Sequence, residues 1–393
     1  MSNTQKKNVP ELRFPGFEGE WEEKKLEDTL EFIKDGTHGT HENVNNGPWL
    51  LSAKNIKNNK IIISSDDRKI SESDYKKIYK NYKLGKGDLL LTIVGTIGRV
   101  AIVKNPNNIA FQRSVAILKT KATYDVEFIF QLFQTKYFKN LLLRKQVVSA
   151  QPGLYLGDIR KIKISITNII EEQRKIGIFF RKIDRQIELE EQKLELLQQQ
   201  KKGYMQKIFS QELRFKDENG NDYPDWTNEN FKDLFKVVPS KKYQIKSSEI
   251  IESGKIPVVD QGKKLILGFS NQTDKVYKEF NNVIIYGDHT TIIKKMDVPF
   301  IIGGDGVKLL TPISNNNLDY FFSILQYFSI ESEGYKRHFS ILKDKKFYTA
   351  NSNKEQQKIG YFFKSLDLII NKQFTYLELL KSYKKGIIQK MFV

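Results

Sequence analysis

Residues 172–210 read EQRKIGIFFRKIDRQIELEEQKLELLQQQKKGYMQKIFS, and residues 355–393 read EQQKIGYFFKSLDLIINKQFTYLELLKSYKKGIIQKMFV. The two stretches align without a gap at an offset of 183 (355 minus 172), and about half of their positions are identical, too many for coincidence. The recurring residues are Glu172, Gln173, Lys175, Ile176, Gly177, Phe179, Phe180, Asp184, Ile187, the Leu194–Leu197 run, the Lys201–Gly203 run, Gln206, Lys207 and Phe209.

Each copy predicts one long helix, because its apolar residues alternate at spacings of four and three and no proline interrupts them. The seam of the first copy is Ile176, Phe180, Ile183, Ile187, Leu194, Leu197, Tyr204 and Ile208. That of the second is Ile359, Phe363, Leu366, Ile370, Leu377, Leu380, Ile387 and Met391. So narrow a seam suits two helices packed on each other as a coiled coil better than two helices docked separately on their own domains. Glu190 with Gln373, and Lys201 with Lys384, interrupt both seams at matching positions, as a register device would. At ~1.5 Å per residue each helix is about 55 Å long, a spacer as well as a core.

The beginnings of the two halves echo as well. Glu11-Leu12-Arg13-Phe14, followed by Trp21, matches Glu212-Leu213-Arg214-Phe215, followed by Trp226, with the ELRF stretches at an offset of 201 (212 minus 11). The halves therefore differ by about 18 residues between their shared ends (201 minus 183). The first long helix runs straight into the second ELRF, whereas the second stops at Val393. A pseudo-twofold architecture then requires Glu11 to dock where a continuation past Val393 would run, which brings the termini together in a circular arrangement.

Composition narrows the class. A chain of 393 residues is too long for one ordinary domain. With 39% hydrophobic and 12% aromatic residues it can build folded cores. Lys and Arg number 65 against 47 Asp and Glu, a net charge of +18 that favours a polyanionic partner such as nucleic acid. There is no cysteine, which excludes disulfides, thiolate chemistry and Cys-based zinc sites. The N-terminus lacks an apolar signal core and no run is long enough to span a membrane, so a cytoplasmic, soluble protein is expected.

Between the shared ends lie two segments without mutual resemblance. The first alternates LLSAKNI, KIIIS, GDLLLTIVG, GRVAIVK and SVAILK with turn residues and predicts a helix over Val126–Arg144 before KIKISI. The second does likewise with KIPVVD, KLILGFS, NVIIYGD, PFIIGGD and VKLLTP and a helix over Leu318–Ser329. Each reads as a mixed α/β domain whose sheet order the sequence leaves open.

Catalytic signatures fail one by one. Gly303-Gly304-Asp305-Gly306 is a turn rather than a phosphate cradle, since neither GxGxxG nor GxxxxGK[ST] occurs. No Pro-Pro pair stands where a base methyltransferase motif would need it. Pro224-Asp225 opens like a nuclease motif, but Glu229 and Lys232 are misplaced for its acid-x-lysine triplet. His38 and His41 lack a third metal ligand at suitable spacing, and four histidines in all leave little for base catalysis. A large basic chain without catalytic equipment points toward binding and positioning.

Reading DNA needs donors and acceptors on loops, with cations for phosphates. In the first segment the candidates are Thr37, His38, Thr40 and His41, then Lys54 and Asn55, Thr96 and Arg99, and Gln112, Arg113 and Ser114. In the second they are Gln261, Lys263 and Lys264, then His289, Thr290 and Thr291, Lys294 and Lys295, and Lys336, Arg337 and His338.

Two unlike domains, each followed by a helix that opens E-Q-x-K-I-G-x-F-F and closes K-K-G-x-x-Q-K-x-F, strongly resemble the specificity (S) subunit of type I restriction-modification enzymes. The resemblance covers nearly the whole chain, including GDLLLTIVGTIGRVAIV, FQRSVAIL, IIYGDHTTII and IIGGDGVKLL. It implies an α+β chain of two mixed target-recognition domains, at 21–170 and 226–354, each followed by a spacer helix, at 171–210 and 355–393. Residues 1–20 then complete the pseudo-repeat, 211–225 form a connector, and the helices pack as an antiparallel coiled coil. The resemblance further implies that each domain reads one half of a bipartite site in double-stranded DNA. Two modification (M) subunits would dock on the helices and methylate adenine with S-adenosylmethionine, while restriction (R) subunits would add ATP- and Mg-dependent translocation and cleavage. This chain would hold no cofactor or metal and would not catalyse alone. GTIGR has no sequence counterpart in the second half, so an asymmetric target is expected. A stand-alone regulator and an autonomous nucleic-acid enzyme are the competing readings; the first is disfavoured by an intramolecular helix partner, the second by the missing motifs.

Overall fold

A computed structural model of the chain describes residues 8–146, 153–313, 317–332, 334 and 336–393. The first seven residues of the expected N-terminal segment lie outside the described residues. The chain divides into two compact units, Met1–Glu190 with Leu377–Val393, and Glu191–Tyr376. The repeated stretches form two long helices, Ile170–Phe209 and Asn353–Met391. Each unit holds the start of one long helix and the end of the other, which makes the pairing antiparallel.

The two units share one topology despite unlike sequences. In the first, the four-stranded sheet runs Leu30–Asp35, Val115–Thr120, Leu89–Thr92, Val100–Ile102; in the second, Phe235–Val238, Val307–Pro312, Ile284–Gly287, Ile293–Lys294. A three-stranded sheet accompanies each, Arg68–Lys69, Trp49–Leu51, Ile109–Phe111 in one and Gly268–Ser270, Ile256–Val259, Ile301–Ile302 in the other. In both, the central strand pairs antiparallel with one neighbour and parallel with the other. A strand pair next to the long helix completes each unit, Glu22–Lys25 with Lys163–Ile166, and Thr227–Asn230 with Lys346–Thr349.

Strand alternation distributes the core. In the first unit Leu89, Leu91, Ala116 and Leu118 face the layer that includes the long helices, while Leu90, Val115 and Ile117 face the three-stranded sheet. In the second unit Ile284, Tyr286 and Leu310 take the helical side, and Ile285, Val307 and Leu309 the other. Buried on both faces, these strands read as unbroken apolar runs rather than alternating ones.

The expected helix over Val126–Arg144 is two helices, Val126–Gln134 and Lys136–Lys145. Thr135 is extended between them (φ −62°, ψ 149°), and its hydroxyl accepts from Phe138 N at 3.1 Å. A threonine that caps the next helix outcompetes helix continuation at that point.

The recurring helix residues have recurring partners. Arg13 donates to both carboxylate oxygens of Glu172 at 2.6 and 2.8 Å, and Arg214 to those of Glu355 at 3.1 and 3.3 Å. Both glutamates are fully buried, and a bidentate guanidinium at the first helical turn is what compensates such a burial. The Gln173 and Gln356 amides each donate at 2.7 Å to a backbone carbonyl, Thr167 and Ala350 respectively. Gly177 and Gly360 sit where a Cβ would come within 2.5 Å of Asp125 Oδ1 and 2.6 Å of Asn317 Oδ1, the caps of the crossing helices. Phe180 packs on Phe392, and Phe363 on Phe209, its equivalent one repeat away.

The two lysine positions of the seam are ionic. Lys201 Nζ donates to Asp367 Oδ1 at 2.6 Å and to Gln326 Oε1 at 2.9 Å. Lys384 Nζ donates to Asp184 Oδ1 and Gln134 Oε1 at the same two distances. Of the seam residues, Ile176, Phe180, Ile208, Ile359, Phe363, Leu377 and Met391 are buried. Ile183, Ile187, Leu194, Leu197, Leu366, Ile370, Leu380 and Ile387 are half-buried, and Tyr204 is exposed.

The N-terminal segment docks at the end of the second helix. Leu12 N donates to Lys390 O at 2.8 Å, and Lys390 pairs with Glu11 at 2.7 Å. The equivalent bond in the second unit, Leu213 N to Lys207 O at 2.9 Å, lies within continuous chain, where Gln211 adopts a left-handed φ of +66° to end the first long helix. The circular arrangement is thus made by a non-covalent copy of a covalent turn.

Candidate nucleic-acid interface

In the first unit three candidate stretches converge at the ends of Trp49–Leu51 and Ile109–Phe111. Thr37 N donates to Phe111 O at 2.8 Å, and Arg113 N to Thr37 O at 3.1 Å. Gln112 N donates to Leu51 O at 2.8 Å, and Ala53 N to Ser114 Oγ at 3.0 Å. His41 Nε2 and Thr37 Oγ1 are 2.8 Å apart, while His41 Nδ1 faces Asp74 Oδ2 at 3.4 Å. Burial alone would raise the Asp74 carboxyl, but the His41 and Lys77 side chains beside it lower it below the usual aspartate range. His38, exposed, bonds Asp35 at 2.5 Å; Thr40, Lys54 and Arg113 are exposed.

Two of these residues are spent on the loop itself. Asn55 is buried, and its amide donates to Asp67 Oδ2 at 2.6 Å and Ile62 O at 3.0 Å. Lys54 pairs with Asp67 Oδ1 at 2.8 Å. Burial works against the charged Asp67 carboxyl, and Lys54, Ser64 N and Asn55 outweigh it, so the group is held below its ordinary value. Thr96 is exposed at the tip of the connection between Leu89–Thr92 and Val100–Ile102; the Thr92 hydroxyl donates to its carbonyl. Arg99 N donates to Thr92 Oγ1 at 2.9 Å, and its guanidinium to Ile56 O at 3.3 Å.

In the second unit Gln261 is a hub. Its Oε1 accepts from His289 N at 3.0 Å and its carbonyl from Thr290 Oγ1 at 2.5 Å. His289 Nδ1 lies 3.0 Å from Lys336 O, and His338 N donates to Asp288 O at 2.8 Å. Lys294 is buried, reaching Asp260 O at 3.0 Å and the Lys264 carbonyl; burial pushes its ammonium down against the opposing pull of Asp260. Lys295 pairs with Asp319. Thr291 is half-buried with a left-handed φ of +58°, and its hydroxyl donates to Thr290 O at 2.7 Å. His338 is fully buried, while Lys263, Lys264, Lys336 and Arg337 remain exposed and form the cationic part of the cluster.

Topology supplies what sequence comparison missed. The GTIGR turn occupies the same inter-strand connection as Asp288-His289-Thr290-Thr291, so it does have a structural counterpart. Lys57, Asn59 and Lys139 also gather beside Arg99 without having been singled out. The Asn58-Asn59 turn between two short apolar runs was the available signal for the first two.

Comparison with known proteins closes the question of kinship. Residues 18–199 and 223–379 match the family described as Type I restriction modification DNA specificity domain. The MjaVIII specificity subunit of Methanocaldococcus jannaschii is 26% identical over 207 residues, 51% of this chain and 48% of that protein. The MjaIX specificity subunit of the same organism is 26% identical over 293 residues, 70% of this chain and 66% of that protein. The chain thus spans about half the length of the first of these relatives and less than two thirds of the second. The crystal structure of the type I restriction-modification S subunit from M. genitalium superposes with a TM-score of 0.67 at 17% identity, covering 98% of this chain and 99% of that one, a likeness of fold. With most of its length matched in two consecutive blocks and the repeated helices in place, this chain belongs to the type I restriction modification DNA specificity family.

Proposed function

We propose that the chain is the DNA-specificity subunit of a type I restriction-modification complex, in which residues 21–170 and 226–354 act as target-recognition domains, each reading one half of a bipartite site in double-stranded DNA. The observation that carries this reading is the repetition of one scaffold under two unlike sets of loops. A shared frame with divergent polar tips serves two different half-sites, so the target is asymmetric. Within the clusters, exposed Arg113 in the first unit and Lys336 and Arg337 in the second are best placed to meet bases or phosphates. Asn55, Gln261, Lys294 and His338 hold the loops that present them.

The long helices act as the spacer and as the dock for two modification subunits, which methylate adenine with S-adenosylmethionine. Restriction subunits supply ATP- and Mg-dependent cleavage where they join. The chain itself contributes sequence recognition and no catalytic step. Co-purification with modification subunits separates this reading from a lone regulator or an autonomous enzyme.

The test is a map of methylated adenines in cells carrying the wild-type chain or one with a heptad inserted in a long helix. Seven residues add about 10.5 Å, close to 3 base pairs at ~3.4 Å each. The expected result is a lengthened spacer with unchanged half-sites. Methylation at the original spacing would refute the ruler role.

A further inference from the structure

One group of cations in the first unit serves neither the recognition cluster nor the helix pairing. Beneath the Ile56–Ile61 hairpin lies a cavity of about 450 Å³ whose wall includes Lys57, Asn59, Gly98, Arg99, Gln134 and Lys139, and no lining residue is acidic. Its frame is fixed. Asn59 Nδ2 donates to Gln134 Oε1 at 2.7 Å, the same oxygen that accepts Lys384 at 2.9 Å. Asn58 and Asn59, both left-handed at φ 50° and 61°, make the tight two-residue turn that presents Lys57. Arg99 is steadied from its backbone by Thr92 and from its guanidinium by the Ile56 carbonyl, which leaves further N–H donors available for a ligand.

The nearby carboxylates are already engaged. Glu188 takes Lys60 and Arg185, and Asp184 takes Lys384. The Lys139 ammonium is pushed down by desolvation and, beyond that, by Lys384 and Lys385. Cations crowded into a concave wall without an acid among them repel each other unless an anion is present.

We propose that this cavity is an oxyanion site that holds one phosphate of a DNA backbone, with Lys57, Arg99 and Lys139 as its ligands. The proposal rests on the DNA-binding reading above and moves Arg99 from the base-reading candidates to the backbone-positioning contacts. Position favours a backbone phosphate over a free one. Ile56, which Arg99 grips, directly follows Asn55 of the recognition cluster, and Ile93, at the other end of the same connection, donates to the Ser114 carbonyl at 2.9 Å. A phosphate held here therefore lies alongside the loops that meet the bases. The second unit has a cavity of about 410 Å³ at the equivalent place, lined by Lys201, Lys202, Met205, Ile292, Ile293 and Gln326 among others. There Lys201 is neutralised by Asp367, and Ile292 stands at the position that Arg99 takes in the first unit, so the phosphate contact is assigned to the first unit.

The experiment is a salt titration of the full chain binding a fluorescently labelled duplex, repeated on duplexes of several sequences, for wild type, Lys57→Gln, Lys139→Gln and Lys139→Arg. Each Gln variant is expected to lower the slope of log K against log salt by about 0.9, by the same amount on every duplex, with Lys139→Arg close to wild type. Both lysines are exposed, and unchanged melting temperatures of the variants verify that they fold. Unchanged slopes in variants of a wild type that binds DNA would overturn the site and leave the DNA reading standing. No salt-dependent binding by the wild type would overturn both. A loss confined to one sequence would make these base contacts, and competition by inorganic phosphate with unchanged DNA slopes would make this a free-anion site; either result overturns the backbone assignment.

Discussion

The two units repeat one frame and differ in what they mount on it. Arg13–Glu172 and Arg214–Glu355, Lys384–Asp184 and Lys201–Asp367, Phe180 on Phe392 and Phe363 on Phe209 are the same contacts made twice. The loops repeat backbone bonds, Thr37 N to Phe111 O beside Ile245 N to Ile302 O and Gln112 N to Leu51 O beside Gly303 N to Val259 O, but not the side-chain contacts. The first cluster is tied through Thr37 and His41, and the second through Gln261. Sequence repeats where two helices must fit each other in both directions, because a change in one copy meets its counterpart only through the other. It diverges where each loop answers only to its own partner.

If the frames are equivalent, equal lesions should have equal costs. Phe180→Ala and Phe363→Ala each empty a fully buried aromatic site, and each should destabilise by about 3–5 kcal/mol. Hydrogen exchange followed by mass spectrometry locates the damage. Faster exchange confined to the mutated unit sharpens the comparison, and exchange that spreads equally through both units breaks it.

The glycines divide the repeat into tight and open positions. Gly177→Ala and Gly360→Ala force a Cβ onto the cap of a crossing helix, an overpacking that should cost about 1–3 kcal/mol. Gly203→Ala and Gly386→Ala meet nothing within 4 Å and should stabilise by up to about 1 kcal/mol through helix propensity. Thermal melts of the four variants test this, and equal signs at all four positions would contradict it.

Much of the frame was legible because its period and its repetition are both local properties of the sequence. Asp184 and Asp367 even stood among the recurring residues, though only the fold shows that they meet Lys384 and Lys201. The shared topology was not legible, since strands as short as Ile301–Ile302 acquire identity only from long-range pairing. The clusters were legible as groups of polar loop residues, but burial within them was not. Asn55 and His338 look like ordinary polar loop residues until the chain closes around them.

The lysine locks test whether the two seams are energetically as well as geometrically alike. Lys384→Met and Lys201→Met each leave an aspartate and a glutamine without their cation in a half-buried seam. Double-mutant cycles with Asp184→Asn and Asp367→Asn should return coupling energies of about 0.5–3 kcal/mol, similar in the two units. A coupling in one unit alone would show that one lock carries the register and the other is incidental.

The smallest expected effect is one where the copies differ. Glu188 bonds Lys60 and Arg185, which hold its carboxyl down to about 2, whereas the equivalent position one repeat later is Asn371. A depressed carboxylate contributes stability above its unfolded pKa, near 4.5, and loses that contribution as the pH falls through about 2. Glu188→Gln should therefore lower the stability at neutral pH by the worth of a partly exposed ion pair, about 0.2–1 kcal/mol, read as a lower melting temperature. The gap to wild type should narrow steadily as the pH drops from 4.5 toward 2. Asn371→Ala should show no such pH dependence, because an amide does not titrate there. The copies then differ in acid sensitivity at this step of the helix. A pH-independent gap for Glu188→Gln would trace its effect to packing, and with it remove this electrostatic distinction between the two seams.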